Sequence, residues 1–292
     1  MKTWILSLLS AGLLLAGCGQ RAVKLDKMII ATSFYPMYLT TANITAGVPG
    51  VQVVNLTRPT TGCLHDYQLS TEEIKNLSQA SIFVANGAGM ESFIQKAVDQ
   101  LPDLKIIDAS AGIPLIKGDG EIGDNPHVWV SVSGAMQQVN NIADGLIKHD
   151  PEHAMQYRAN ADRYLVRLDS LRAKMHRELK PAAGRDIITF HEAFPYFAQE
   201  FGLKVAAVVE REPGSEPSAA ELAQTIKLIR RKKIKALFAE PQYPAKAAQA
   251  IALETGAKVY TLDPVSTGPL DDLSYYIATM EKNLAALREA LR

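Results

Sequence analysis

Cysteine is almost missing from this chain of 292 residues, with Cys18 and Cys63 the only two. Such a sequence is no disulfide scaffold, and its cysteine usage assigns no compartment. Net charge is missing too, because 31 lysines and arginines balance 31 aspartates and glutamates. No global field therefore argues for nucleic acid or an anionic membrane as a partner. No apolar run approaches the roughly 20 residues that a membrane-spanning helix needs. Also absent are a His-Glu-x-x-His or other hydrolase motif and any residue-level repeat between the two halves. Whatever the chain does must rest on a few residues that its fold brings together.

The first residues read as a targeting segment. Lys2 supplies a short positive region, residues 4–15 an apolar stretch, and Leu15-Ala16-Gly17-Cys18 a small-residue processing site. That site resembles a bacterial lipobox, in which Cys18 is lipidated and becomes the mature N-terminus; an ordinary signal peptide with an incidental cysteine is the alternative. Lipid on Cys18 would hold the protein to a membrane without a spanning helix. Residues 1–17 are then the leader and 18–27 a lipidated tether. With Cys18 committed to lipid, Cys63 has no partner for an intrachain disulfide. The mature chain carries a charge of about −1 and is long enough for one large domain or two of ordinary size.

Beyond the tether, runs rich in Ile and Val alternate with helical patterns. Strands are expected at 28–34, 51–56, 81–85 and 105–107, then at 186–190, 204–209, 234–239 and 258–262. Helical patterns fall at 36–45, 71–79, 90–101 and 133–148, then at 192–201, 219–232, 245–255 and 271–291. Ser70 with Glu73, and Ser218 with Glu221, form capping boxes. The alternation, with strands apolar on both faces, predicts an α/β fold of parallel sheets covered by helices. Between the halves, Asp150-Pro151 reads as a cap-then-proline start and Pro181 as a stop. Tyr157, Ala161, Tyr164, Leu168, Leu171 and Met175 recur at steps of four and three, which makes one apolar stripe. A helix over that span would be roughly 45 Å long and would restrict hinge motion between two lobes. A coiled-coil dimer competes, but so short a repeat between globular halves favours packing within one chain, and hence a monomer. The expected divisions are an N-terminal lobe over 28–148, a linker helix over 149–181 and a C-terminal lobe over 182–292.

Three histidines stand at the ends of separate apolar segments: His65 in Gly-Cys-Leu-His-Asp-Tyr, His127 in Asn-Pro-His-Val-Trp and His191 in Thr-Phe-His-Glu-Ala-Phe. Asp263 ends Lys-Val-Tyr-Thr-Leu-Asp in the same way. Each alone could be structural. Together they supply four ligands from four distant places, and three imidazoles with one carboxylate suit a divalent transition metal, Zn²⁺ first. His191 and Asp263 directly follow expected strands, where open α/β sheets present functional groups. Two ligands from each half would put the ion in the cleft between lobes. Cys63 or water is the rival for the fourth position. Glu240, at the end of another strand, is expected to support a ligand histidine from behind or to line the surface, and Glu192 and Asp66 serve similarly or are solvated. His149 and His153 read as a solvated face, and Arg230 to Lys233 as charge complementing a helix end.

Several segments carry a resemblance. Ser-Phe-Tyr-Pro, His-Asp-Tyr-Gln-Leu, Asn-Gly-Ala-Gly-Met-Glu, Asn-Pro-His-Val-Trp, Phe-His-Glu-Ala-Phe-Pro-Tyr-Phe, Glu-Pro-Gly-Ser-Glu-Pro-Ser and Leu-Asp-Pro occur in this order. The chain is similar to the zinc/manganese family of ABC-transporter solute-binding proteins over essentially its whole mature length. The resemblance implies two α/β lobes joined by one long helix, a bare metal ion between them, and delivery to a permease driven by an ATPase. It also implies ligand roles for His65, His127, His191 and Asp263. Histidine at the third position tilts the implied cargo to Zn²⁺, with Mn²⁺ second. Two features depart from the family: residues 117–124 contain no histidine, and Leu64 precedes His65. The expected function is thus an extracytoplasmic, lipid-anchored metal-capture protein and not an enzyme. A surface-anchored zinc hydrolase, or an adhesin with a structural metal, is the alternative.

Overall fold

The computed structural model describes residues 27–62, 64, 67–118, 123–209, 217–242 and 246–292. The leader, Cys18, most of the tether, Cys63, His65 and Asp66 lie outside the described residues. Two four-stranded sheets form the centres of two lobes. The first contains β1 (Met28–Thr32), β2 (Val51–Asn55), β3 (Ile82–Ala85) and β4 (Lys105–Asp108). The second contains β5 (Asp186–Thr189), β6 (Lys204–Val208), β7 (Ala236–Ala239) and β8 (Lys258–Thr261). The orders are β2-β1-β3-β4 and β6-β5-β7-β8, and every pairing is parallel. The two halves therefore repeat a topology that their residues do not repeat.

Alternation within the central strands explains the layering. Ile82 and Val84 face a core shared by both lobes, while Phe83 and Ala85 face the outer layer of the first. Ala236 and Phe238 face the shared core, while Leu237 and Ala239 face the outer layer of the second. Successive residues of a strand point to opposite faces, so a strand covered on both sides must be apolar throughout. Only the central strands meet that condition. The edge strands β4 and β8 are largely exposed, which corrects the reading of all strands as apolar on both faces.

Helices α1 (Tyr35–Thr45), α2 (Thr71–Ser78) and α4 (Val132–His149) flank the first sheet; α6 (Pro195–Phe201), α7 (Ala219–Lys232), α8 (Lys246–Thr255) and α9 (Tyr275–Ala290) belong to the second half. Both capping boxes form at the starts of α2 and α7. The 90–101 pattern does not become one helix. It gives a 3-10 turn, Ser92–Ile94, and a four-residue helix α3, Gln95–Val98. Gly87, Ala88 and Gly89 all have positive φ just before it, and Glu91 turns back to accept from the N–H groups of Asn86 (2.7 Å) and Gly87 (3.0 Å). Helix α9 starts later than 271 because Asp272 Oδ1 accepts from Ser274 N–H (2.9 Å) and Oγ–H (2.6 Å), closing a side-chain turn. Helix α6 starts at Pro195, where proline fits the first position, so residues 192–194 stay irregular.

The linker is α5, Ala154–Leu179, with 3-10 turns Pro151–His153 and Lys180–Ala182 at its ends. Its 26 residues span about 39 Å. Asp150 does not cap the backbone, because its Oδ2 instead accepts from Tyr157 Oη (2.6 Å) and sits 2.7 Å from His153 Nδ1. The whole apolar stripe is buried, and α5 packs against α1, α4, α6 and α9. One core thus runs from the first sheet through the linker to the second half.

Candidate metal centre

In each sheet the strand order reverses between the two central strands, β1 and β3 or β5 and β7. Ligands of open α/β sheets bind beyond the strand ends at such a point. His191 follows β5 and Glu240 follows β7, and the register Thr189↔Phe238 sets these ends side by side. His191 Nδ1 lies 3.3 Å from Glu240 Oε1, and both side chains are buried. Neither oxygen of Glu240 has a hydrogen bond among the described residues. Asp263 follows β8, the next strand across. Burial, offset by the Val265 N–H bond and reinforced by the nearby Glu240 charge, pushes its carboxyl up to about 6.

His127 enters from the first lobe. Its ring meets that of His191 edge to face, with centroids 4.8 Å apart and planes at 84°. The turn that carries it is held from several sides. Asn86 Nδ2 donates to Pro126 O (2.9 Å), and Asn125 Oδ1 accepts from His127 N–H (3.0 Å). Gly134, near the start of α4, lies so close to the Val128–Val130 3-10 turn that an added Cβ would stand 2.3 Å from Val128 O. Trp129 Nε1 donates to Pro264 O (2.8 Å), which ties the His127 segment to the Asp263 segment. Asn283 of α9 then clamps Asp263 by its backbone, accepting from the N–H (2.9 Å) and donating to the carbonyl (2.7 Å). Val265, a β-branched residue at φ 58°, marks strain in the same loop.

The structure thus gathers His127, His191 and Glu240, with Asp263 within electrostatic reach. Among the described residues, no three His, Cys, Asp or Glu side chains converge closely enough to hold an ion. His65 and Cys63 are outside the described residues, but their flanks are fixed. Leu64 is fully buried, Tyr67 N–H donates to Leu64 O (3.1 Å), and Tyr67 Oη donates to Glu73 Oε1 (2.5 Å). Burial and the Glu73 carboxylate push the Tyr67 hydroxyl up to about 12.

Glu240 is more central than a surface-lining residue, at 3% exposure. Glu192 is half-buried, and its carbonyl accepts from Asn125 Nδ2 (2.8 Å). His149 ends α4 at the N-terminal ends of β1, β3 and β4, beside a cavity lined by Lys105 and Asp103. Arg230 pairs with Glu254 and Lys232 with Asp186 around the C-terminus of α7. Asn125, Trp129 and Asn283 were not read as site residues from the sequence. Only Asn125 carried a local signal there, an amide two residues before a histidine, which commonly bonds to the backbone ahead of it.

Residues 30–290 match the family described as ZnuA, zinc-uptake complex component A, periplasmic. The chain is 32% identical to the high-affinity zinc uptake system protein ZnuA of Bacillus subtilis, covering 96% of this chain and 94% of that protein. It is 30% identical to the zinc-binding lipoprotein AdcA of Streptococcus pneumoniae over 95% of its own length and 58% of the longer AdcA. The solute-binding protein FpvC of Pseudomonas aeruginosa, solved with Ni²⁺, superposes with a TM-score of 0.80 at 33% identity, covering 91% of this chain and 97% of that one. FpvC has also been solved with Mn²⁺. Two parallel-sheet lobes on one linker, two histidines meeting between them and a match over nearly the whole chain lead to one conclusion: this protein belongs to the ZnuA family of periplasmic zinc-uptake components.

Proposed function

We propose that this protein captures a divalent metal ion outside the cytoplasm, Zn²⁺ before Mn²⁺, and delivers it to an ABC permease. The observation that carries this reading is the meeting of His127 and His191 from opposite lobes, 4.8 Å apart between ring centroids, beside the buried carboxylate of Glu240. Buried carboxylates are paired or bind metal, and a divalent cation neutralises Glu240 and Asp263 together. The ligand set we assign is His65, His127, His191 and Asp263. Glu240 stands behind His191, with Oε1 3.3 Å from Nδ1, as the carboxylate that would take the Nδ1 hydrogen bond a metal-binding imidazole usually makes. Imidazole-rich shells favour Zn²⁺ over Mn²⁺. Four protein ligands leave no open position for an activated water, which suits carriage. The family and its named relatives are uptake and binding proteins, which sets the hydrolase alternative aside.

Among the described residues no helix is long and apolar enough to cross a membrane. We assign membrane attachment to lipid on Cys18 and treat the protein as a monomer. Elemental analysis of protein purified without added metal, followed by competition between Zn²⁺ and Mn²⁺, tests the cargo; about one Zn²⁺ per chain is expected. His65→Ala and His191→Ala should each lose high-affinity binding. Retention of wild-type affinity in both would sink the ligand assignment. Cys18→Ser should release the protein from the membrane fraction.

A further inference from the structure

Asn125 is 3% exposed, and both ends of its side-chain amide are committed. Its Oδ1 faces the backbone N–H of His127 (3.0 Å), a group that can only donate. Its Nδ2 faces the backbone carbonyl of Glu192 (2.8 Å), a group that can only accept. Its own N–H donates to Ile116 O (2.7 Å), and its carbonyl accepts from Tyr196 Oη (2.8 Å). The amide therefore cannot be turned over without losing both side-chain bonds. With Oδ1 fixed as an acceptor 3.1 Å from His127 Nδ1, that nitrogen must carry the ring hydrogen. The lone pair then falls on Nε2.

We propose that Asn125 is a positioning residue that locks His127 as the Nδ1–H tautomer, and that the second lobe enforces this through the carbonyl next to His191. The inference rests on reading His127 as a metal ligand. The tautomer of one lobe's histidine is set, through a single amide, by the backbone of the other lobe. Nε2 is presented to the cleft before the ion arrives, so no ring flip or proton shift is needed on capture. A free imidazole divides between two tautomers, and the wrong one shows a hydrogen to the ion.

Long-range ¹⁵N NMR of the metal-free protein reads the tautomer directly, and competition with a chromophoric chelator reads Zn²⁺ affinity. Wild-type His127 should be the Nδ1–H form. Asn125→Ala should lose that single signature and bind Zn²⁺ about 10- to 100-fold more weakly, as expected for loss of a group that orients a ligand. Asn125→Asp gives up the Glu192 bond but keeps the acceptor; it should retain the signature and recover most of the affinity. An Nε2–H ring in the wild type, unchanged Zn²⁺ affinity in Asn125→Ala, or equal weakness of the two variants would overturn the proposal. The wild-type spectrum decides even where the alanine variant fails to fold. His127→Ala separates the two levels: undiminished Zn²⁺ binding there would remove His127 as a ligand, whatever its tautomer.

Discussion

Glu91 shows how a residue outside the histidine pair supports the frame around it. Its carboxyl oxygens accept from the backbone N–H groups of Asn86 and Gly87 at the end of β3, and Asn86 holds the carbonyl before His127. Burial pushes its carboxyl from 4.5 up to about 7, against the pull of those N–H bonds. Between these values the folded chain keeps a proton that the unfolded chain has lost. Stability therefore falls as pH rises through that window. In chemical denaturation of the metal-free protein, Glu91→Gln should show a flatter profile between pH 4.5 and 7 than the wild type. Identical slopes would remove Glu91 from the account. Trp129 acts at the same scale. Its Nε1 bond to Pro264 O joins segments 135 residues apart, and Trp129→Phe leaves that carbonyl without its donor. A loss of about 1–3 kcal/mol in unfolding free energy is expected.

At the scale of elements, α5 is the member on which the lobes are built. Leu168 lies mid-helix, fully buried in the shared core. Leu168→Ala should cost about 2–5 kcal/mol, measured by thermal or denaturant unfolding in a single transition. Two transitions would show that the lobes unfold separately. This helix was legible in the sequence because a stripe at steps of three and four needs only local geometry. The strands were legible for the same reason, as runs of Ile and Val between turn residues. What was not legible depended on side chains bonding out of register. Glu91 and Asp272 are ordinary helix-forming or capping residues in sequence, yet both bond to loop backbone and shorten their helices. Within the site, His191 and Asp263 could be nominated from strand ends and His127 from the turn at Asp124-Asn125-Pro126. The centrality of Glu240 could not, because it follows from β5 lying beside β7, a pairing that brings Thr189 and Phe238 together across 49 positions of sequence only after folding.

For the whole molecule, ion and fold are linked. An ion that binds only the folded state stabilises it by about 2.7 kcal/mol at a free concentration of 100 times its Kd. Zn²⁺ should thus raise the melting temperature, and a chelator should reverse the shift. Imidazoles bind metal in their neutral form, so Zn²⁺ affinity should fall as pH drops below roughly 6.5. Affinity independent of pH between about 5 and 8 would contradict histidine ligation. The lobes are also joined by more than the linker. Tyr35 Oη donates to Pro269 O (2.9 Å), Asn43 Nδ2 to Leu273 O (3.0 Å), and Ser133 Oγ to Glu200 Oε1 (2.6 Å). Small loop movements at the cleft, not wide hinge opening, fit a frame so bolted.

Helix α9 carries one more consequence. Its Tyr276, Met280, Leu284 and Leu287 complete the shared core, and its Asn283 fastens the backbone of Asp263. Helix α9 packs against α5 and β8, so during synthesis from the N-terminus the linker emerges without one wall of the shared core. A nascent chain stopped at Ser274 should remain protease-sensitive throughout, where a pair of autonomous lobes would leave a resistant N-terminal fragment. Helix α9 is then the element whose arrival completes the shared core.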